Sequence, residues 1–552
     1  MIYYGKSVFD AMAVGRILVY IRPEPVVKKA YTTDHEAEIK KFEDAKIKAF
    51  EQIQELYSGN FEEDTKKIMN AHKILVQDVD FTDSVVQYIN DNDTNAEYAI
   101  AKVCENYAVI FDLIEDNYLK ERIEDIRDVS KRMLRILTGT KETLENFISE
   151  MSEDKEPVIL ISEDLVPSET IQLTKNTVSA FVTLRGSVIS HTAILAKTLG
   201  IPALVSTNIS IDNDFNGRLA IVDGYNGRII IDPGEDALLN AETRIQRENE
   251  EKILLNKIKD LDCVTKDGTS VNLFANVGTI DDINDAVEAN AGGIGLFRTE
   301  YLFLEKDRFP TENEQFQMYK YALEKMKGKP VLIRTLDVGS EKQATYLRLP
   351  HETNPALGLR GIRVTLERSK ILRDQLRALL RASVYGNLFI LHPMIISVEE
   401  VHKIKAILEE VKADLEKKNI PFGEFKHGIM VETPAAAILS DELAKEVDFM
   451  NIGTNDLTQY TLAIDRCNDN LKKSVIYDAK HPSVLRMIEM TVANAKKNGI
   501  FVGICGELAS DESLLEYFIK IGVDEVSVLA SKILPLKRVV LETDLHSAVA
   551  HA

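Results

Sequence analysis

Residues 263 to 552 repeat one pattern eight times: a short apolar run of strand length, then a longer stretch with apolar residues every three or four places. The runs are VNLFANVG, GGIGLFRTE, PVLIRTLDVG, LFILHPMI, HGIMVETP, VDFMNIGTND, FVGICGELA and EVSVLA. Near-continuous apolar runs of this length suit strands buried on both faces, and a period of 3.6 suits helices packed against them. Eight such units in succession predict a (β/α)8 barrel of the TIM type.

The first half of the chain is organised differently. GRILVYI, residues 15–21, is a strand candidate, and PVILIS, VSAFVT, PALV, LAIVDG and RIIID follow between about 155 and 232. Residues 31–150 between them are nearly free of Pro and Gly, and stretches such as AEIKKFEDAKIKAFEQIQEL have helical apolar spacing. Neither strand group completes a sheet by itself. A helical domain over 31–150 is therefore expected as an insertion into one α/β domain formed by 1–30 and 151–232. The charged, breaker-free segment EDALLNAETRIQRENEEKILLNKIKDL predicts a helical linker over 233–262, leading to the barrel at 263–552. The expected fold class is α/β multidomain.

One stretch of the α/β part carries candidate chemistry, SVISHTAILAKTLGIPALV at 187–205. Ala193, Ile194, Ala196, Lys197 and Leu199 make about two helical turns, Gly200 suits the left-handed position past the end, and Pro202 stops the helix. His191 then lies in the first turn, where unpaired N–H groups and the positive dipole end favour an anion. A phosphate on its imidazole would be stabilised there. The plainer alternative, Ser190 as an N-cap and His191 as an ordinary first-turn residue, stays open from this stretch alone.

Charge narrows the choice of partner. The chain carries a formal net charge of −21, and 31–150 holds 27 acidic and 15 basic residues, −12 of that total. This argues against a nucleic-acid surface, and for small-molecule chemistry or a basic protein partner. No run of about 18 apolar residues predicts a membrane span. Lys6, Asp10 and Arg16 interrupt the N-terminal apolar residues, unlike a signal peptide. Cys104, Cys263, Cys467 and Cys505 contain no CxxC pair, so neither a disulfide framework nor a zinc site is expected, and a cytoplasmic location is.

In a TIM-type barrel the chemistry lies where strands end. Arg298 follows GIGLF, Arg334 follows VLI, Glu432 follows GIMV, Asn455 and Asp456 follow NIGT, and Cys505 follows VGI. Arg298 and Arg334, with Lys342, Arg360 and Arg466 on following loops, suit a small polyanion. Glu432 and Asp456 suit one hard cation such as Mg2+. Cys505, the only thiol at a predicted strand end, suits proton donation. Singly, each has an ordinary reading as a surface ion pair, a cap or a buried small hydrophobe. Their meeting on one face points to a site.

The stretches GIGLFRTEYLFL (293–304), MVETPAAA (430–437) and NIGTNDLTQYTLAIDR (451–466) go further. With them the chain resembles, over nearly its whole length, the enzyme I family of the bacterial sugar phosphotransferase system, the phosphoenolpyruvate-protein phosphotransferases. The resemblance implies that His191 is the phosphorylated histidine, that Arg298, Arg334 and Arg466 bind phosphoenolpyruvate, and that Lys342 binds its phosphate. It further implies that Glu432 and Asp456 hold Mg2+, that Asn455 contacts substrate, and that Cys505 is the proton donor. It also implies a homodimer through the barrel and a small phosphocarrier protein, HPr, received by the helical insertion.

Some positions depart from the family's usual pattern. Where GGRTSH is usual, residues 186–191 read GSVISH, with Ser187, Val188 and Ile189 replacing a glycine, an arginine and a threonine. A lost glycine restricts the backbone, and a lost cation removes a favourable charge beside a phosphate. Arg185 is the nearest candidate to compensate. Ser340 and Cys467 also stand where glycines are usual. These departures keep one alternative open, a divergent paralogue that senses phosphoenolpyruvate or serves a dedicated non-sugar carrier with little general transfer activity. A relative of pyruvate phosphate dikinase would need a nucleotide-binding domain, for which the chain has neither length nor a Gly-rich loop.

Overall fold

The computed structural model describes residues 1–22, 25–57, 72–112, 117–139, 144, 148, 157–165, 169, 173, 177–187, 191–304, 308–339, 345–466, 468 and 477–546. The chain forms two units, Met1–Glu250 and Glu251–Ala552. Among the described residues no helix is long and apolar enough to cross a membrane.

The first unit is built on an eight-stranded sheet of order β1-β8-β7-β3-β4-β5-β6-β2. Its strands are β1 (Ile2–Tyr4), β2 (Lys6–Phe9), β3 (Met12–Tyr20), β4 (Val158–Ser162), β5 (Val178–Thr183), β6 (Ala203–Val205), β7 (Leu219–Asp223) and β8 (Arg228–Ile231). The six strands read from sequence are all present. β1 and β2 are additions, because strands of three and four residues interrupted by Lys6 carry little pattern of their own. They exist through distant pairing, Ile2 with Ile230 and Lys6 with Val205, at opposite edges of the sheet.

β3 shows why this sheet is covered on both sides. Ile17 and Val19 enter one core with Ile159 and Ile161, while Leu18 and Tyr20 enter another with Leu160 and Phe181. Successive side chains alternate between faces, so a strand apolar at every position must be buried twice. α1 (His35–Tyr57), α2 (Val79–Asn92), α3 (Ala96–Asp112) and α4 (Asn117–Thr138) lie between β3 and β4 in the chain. They share a separate core, in which Phe81, Val85 and Ile89 of α2 meet Ile100 and Val103 of α3. Spacing of four places these residues on one helical face, and Asp78 caps α2 by accepting the Phe81 N–H at 2.8 Å.

α5 (His191–Leu199) begins at the histidine singled out above and ends at Gly200, whose φ of 59° is the left-handed stop. Ala196, with Leu195 and Leu199 beside it, joins the core on the Leu18 face of the sheet, which holds the helix in place. Val188, Ile189 and Ser190 lie outside the described residues. Arg185 pairs with Glu163 at 2.9 Å on the surface, so its guanidinium is already engaged. α6 (Glu235–Ile258) is the expected long helix, and the boundary between the units falls within it.

The second unit is a closed parallel barrel of β9 (Asn272–Val277), β10 (Ile294–Arg298), β11 (Pro330–Arg334), β12 (Asn387–His392), β13 (Phe425–Val431), β14 (Phe449–Gly453), β15 (Phe501–Cys505) and β16 (Glu525–Leu529). All eight sequence-read strands are there. Closure leaves no strand edge unpaired, and helices cover the outside. Alternation fixes what faces inward. Val331, Ile333, Ile429, Val431, Met450 and Ile452 belong to the core beneath the helices, whereas Leu296, Leu332, Met430, Phe449 and Cys505 fill the interior. Residues two places beyond these interior positions, at the C-terminal ends of the strands, therefore point into the mouth.

Candidate active site

Period two carries Arg298 inward after Leu296, Arg334 after Leu332 and Glu432 after Met430, while Cys505 itself closes β15 on the inner face. These residues, with Arg360, Asn455, Asp456 and Arg466, line one cavity of about 480 Å³. The structure thus brings together eight of the ten residues singled out. His191 belongs to the other unit, and Lys342 lies outside the described residues.

Two residues that strand-end reasoning passed over organise the cavity. Glu300, two places after Arg298, is buried and accepts from Arg334 Nη2 at 2.6 Å and from the Asp337 N–H at 3.1 Å. Asp337, three places after Arg334, pairs with Arg334 Nη1 at 3.1 Å and accepts from Arg360 Nε and Nη2 at 3.1 and 3.0 Å. Their position just past strand ends was a signal available in the sequence. Arg360 also donates to both oxygens of Asp456, at 3.0 and 2.9 Å, and to Tyr460 Oη at 3.2 Å. Arg466 Nη2 lies 3.5 Å from Asp456 Oδ1. Among the described residues, Arg298 alone of the four arginines has no carboxylate partner.

The electrostatics show a crowd of acids. Glu432 is buried, with Oε1 accepting the Met394 N–H at 2.7 Å and Oε2 facing Gly453, where a side-chain carbon would approach to 2.9 Å. Burial first, then the charges of Asp456 and Asp337, push its carboxyl up to about 8, against the pull of Arg334 and Arg360. Glu300, Asp337, Glu432, Asp456 and Asp465 place five carboxyls in the lining against four guanidiniums. A trianionic ligand entering this lining brings a further excess of negative charge, which a divalent cation at Glu432 would offset. Glu432 and Asp456 supply oxygen donors of the hard kind, while among the described residues no group of three or more acidic, histidine or cysteine side chains is gathered for a metal, so a cation here would draw further ligands from the substrate.

Cys505 is buried, and burial, Glu525 and Glu432 all push its thiol well above the ordinary range, outweighing Arg334 and Arg298. It stays protonated at neutral pH. Asn455 Oδ1 accepts the Glu507 N–H at 2.9 Å, tying the loop after β14 to that after β15. Gly506, with φ of 102°, lets the two loops meet, since a side-chain carbon there would lie 2.9 Å from Asn455 Oδ1.

Residues 252–545 match the PEP-binding domain of PEP-utilising enzymes, residues 4–122 their N-terminal domain, and residues 154–227 their mobile domain. A phosphoenolpyruvate-protein phosphotransferase of Priestia megaterium is 41% identical over 534 residues, 96% of this chain and 92% of that protein. The chain belongs to the phosphoenolpyruvate-protein phosphotransferase family. Other phosphoenolpyruvate-protein phosphotransferases, from Bacillus subtilis (strain 168) and Staphylococcus aureus (strain MRSA252), are each 40% identical, covering 97% of this chain and 93% of their own lengths. The matched mobile domain contains α5 with His191, and the matched PEP-binding domain contains the whole barrel and its cavity.

Proposed function

We propose that this protein transfers the phosphoryl group of phosphoenolpyruvate to His191 and then to a histidine of a small phosphocarrier protein of the HPr kind, releasing pyruvate as the first step of a sugar phosphotransferase system. The observation that carries this reading is the cavity at the barrel mouth, with guanidiniums fixed by Glu300, Asp337 and Asp456, an Arg298 without a carboxylate partner among the described residues, and a protonated Cys505. The paralogue that only senses phosphoenolpyruvate is not favoured, because relatives matching nearly the whole chain are named as the transferase.

Arg298, Arg334, Arg360 and Arg466, with Lys342, take the phosphate and carboxylate oxygens of the substrate. Arg334 and Arg360 are held by carboxylates before substrate arrives, so little reorganisation is left for the reaction. Asn455 contacts the substrate beside them. Glu432 and Asp456 would hold Mg2+, which when bound supplies positive charge against the phosphoryl oxygens. His191 attacks phosphorus in line as a neutral imidazole. Cys505 then protonates carbon 3 of the enolate to give pyruvate. The phosphohistidine at the start of α5 gains from the helix N-terminus.

His191 and the cavity belong to different units, so this chemistry requires them to meet and then part. The same reading assigns 1–30 with 151–232 to the phosphohistidine domain, 31–150 to carrier docking, 233–262 to a linker and 263–552 to the barrel, working as a homodimer in the cytoplasm. Incubation with Mg2+ and phosphoenolpyruvate labelled on phosphorus tests it. Protein-bound label that is acid-labile, alkali-stable and absent from His191→Ala is expected; a wild-type protein that stays unlabelled overturns it.

A further inference from the structure

Beneath the mouth the barrel interior holds a polar layer. Glu525 opens β16 and Ser527 follows on the same face, both fully buried. In the parallel ladder Glu525 stands beside Gly503 and Ser527 beside Cys505, so the carboxyl lies one layer below the thiol. Two strands leave room for it: a side-chain carbon at Gly503 would overlap Glu525 Oε2, and one at Gly295 would overlap Oε1. Asn451 Nδ2, on β14, donates to Oε2 at 3.3 Å, while Ser527 Oγ donates to Asn276 Oδ1 at 2.6 Å.

Two oxygens in this layer have no donor. Among the described residues, Glu525 Oε1 and Asn451 Oδ1 are buried acceptors without a hydrogen-bond partner. An ionised Glu525 would be stabilised by one long amide bond and the Ser527 hydroxyl, with no cation, which cannot offset the desolvation of a buried carboxylate. A single hydrogen on Glu525 removes the charge and provides a donor. Burial accordingly pushes the group up to about 8, with the charge of Asp524 acting the same way against the Ser527 hydroxyl. The groups facing Cys505 are Glu525 from below, Glu432 from β13, and Arg334 and Arg298 from β11 and β10.

We propose that Glu525 is held as a neutral carboxylic acid beneath Cys505 and returns to it the proton spent on the product in each turnover. This rests on the reaction proposed above. The Cys505 S–H bond breaks as the carbon 3–H bond of pyruvate forms, leaving a thiolate. The Glu525 O–H bond then breaks as S–H is restored, the proton passing up one layer to the level that Ser527 shares with Cys505. The carboxylate, destabilised by its burial, regains a proton from water after pyruvate leaves. Glu525 touches no substrate and acts only through Cys505.

The full chain is given Mg2+, phosphoenolpyruvate and [14C]pyruvate in D2O, without any carrier protein. Carbon label entering phosphoenolpyruvate reads reversal of the first transfer, and deuterium entering the methyl group of pyruvate reads renewal of the thiol proton from solvent. In Glu525→Gln the ratio of deuterium entry to carbon exchange falls at least tenfold, and Glu525→Asp restores part of it. An unchanged ratio in Glu525→Gln overturns the proposal, because a merely structural role slows both signals together. Absence of carbon exchange in the wild type overturns the transfer reaction itself, a separate failure. Infrared spectra give a check that does not depend on a Glu525 variant: a protonated-carboxyl band at pH 7, titrating near pH 8 and persisting in Glu432→Gln, is expected, and its absence from the wild type at pH 7 or its loss in Glu432→Gln overturns the proposal.

Discussion

The barrel contains two buried glutamates of similar acidity, one at its mouth and one on its floor, and they arrive there by different routes. Glu432 is pushed up by burial and by Asp456 and Asp337, and pulled back by Arg334 and Arg360. Glu525 is pushed up by burial with Asp524, and no cation opposes it. Charge crowding makes the first responsive to anything charged that enters the cavity. Charge scarcity makes the second keep its proton until a thiolate forms above it. One barrel thus offers a site tuned by its ligand and a site fixed by its packing.

The sharpest way to break this contrast is at the mouth. Arg334→Met leaves Glu300 buried without its guanidinium and Asp337 held by Arg360 alone, so about 3–5 kcal/mol of stability in urea unfolding is expected to be lost, with pyruvate formation down at least a thousandfold. A variant near wild-type stability would show the mouth to be less tightly balanced than its geometry implies. Next in size, Cys505→Ala should slow pyruvate release by about 10²–10⁴-fold while leaving phosphoenolpyruvate binding measurable by calorimetry.

The floor is probed by pH. The folded-state acidity of Glu525 lies above its unfolded value near 4.5, so its contribution is full below that value and is lost as pH rises through about 8. At about 1.4 kcal/mol per pH unit, this is a few kcal/mol. Urea midpoints between pH 4.5 and 8 should decline in the wild type relative to Glu525→Gln, and parallel curves would place the proton elsewhere. The smallest effect is expected at Arg298. With no carboxylate partner among the described residues, Arg298→Ala should change folding by less than about 0.5 kcal/mol while raising the KM for phosphoenolpyruvate about 10–100-fold.

Much of this architecture is legible in the chain. The eight barrel strands follow from their apolar runs, and period two then aims Arg298, Arg334 and Glu432 into the mouth. The start of α5 at His191 follows from local spacing and from Gly200. Less legible were β1 and β2, which are too short to carry a pattern and pair with residues some two hundred places away. Glu300 and Asp337 sat in view past strand ends, but a carboxylate there looks the same whether it caps a helix or holds an arginine.

What the sequence determined by itself was periodicity, residue type and position along each strand, because these act over a few residues and need no partner. Which carboxylate holds which guanidinium, and which acid keeps its proton, was decided only when the barrel closed. Asn451 and Glu525 are 74 residues apart, and Arg360 is 96 from Asp456. Burial and charge proximity depend on distances that the linear chain does not contain, and those distances set the acidity of Glu432, Cys505 and Glu525.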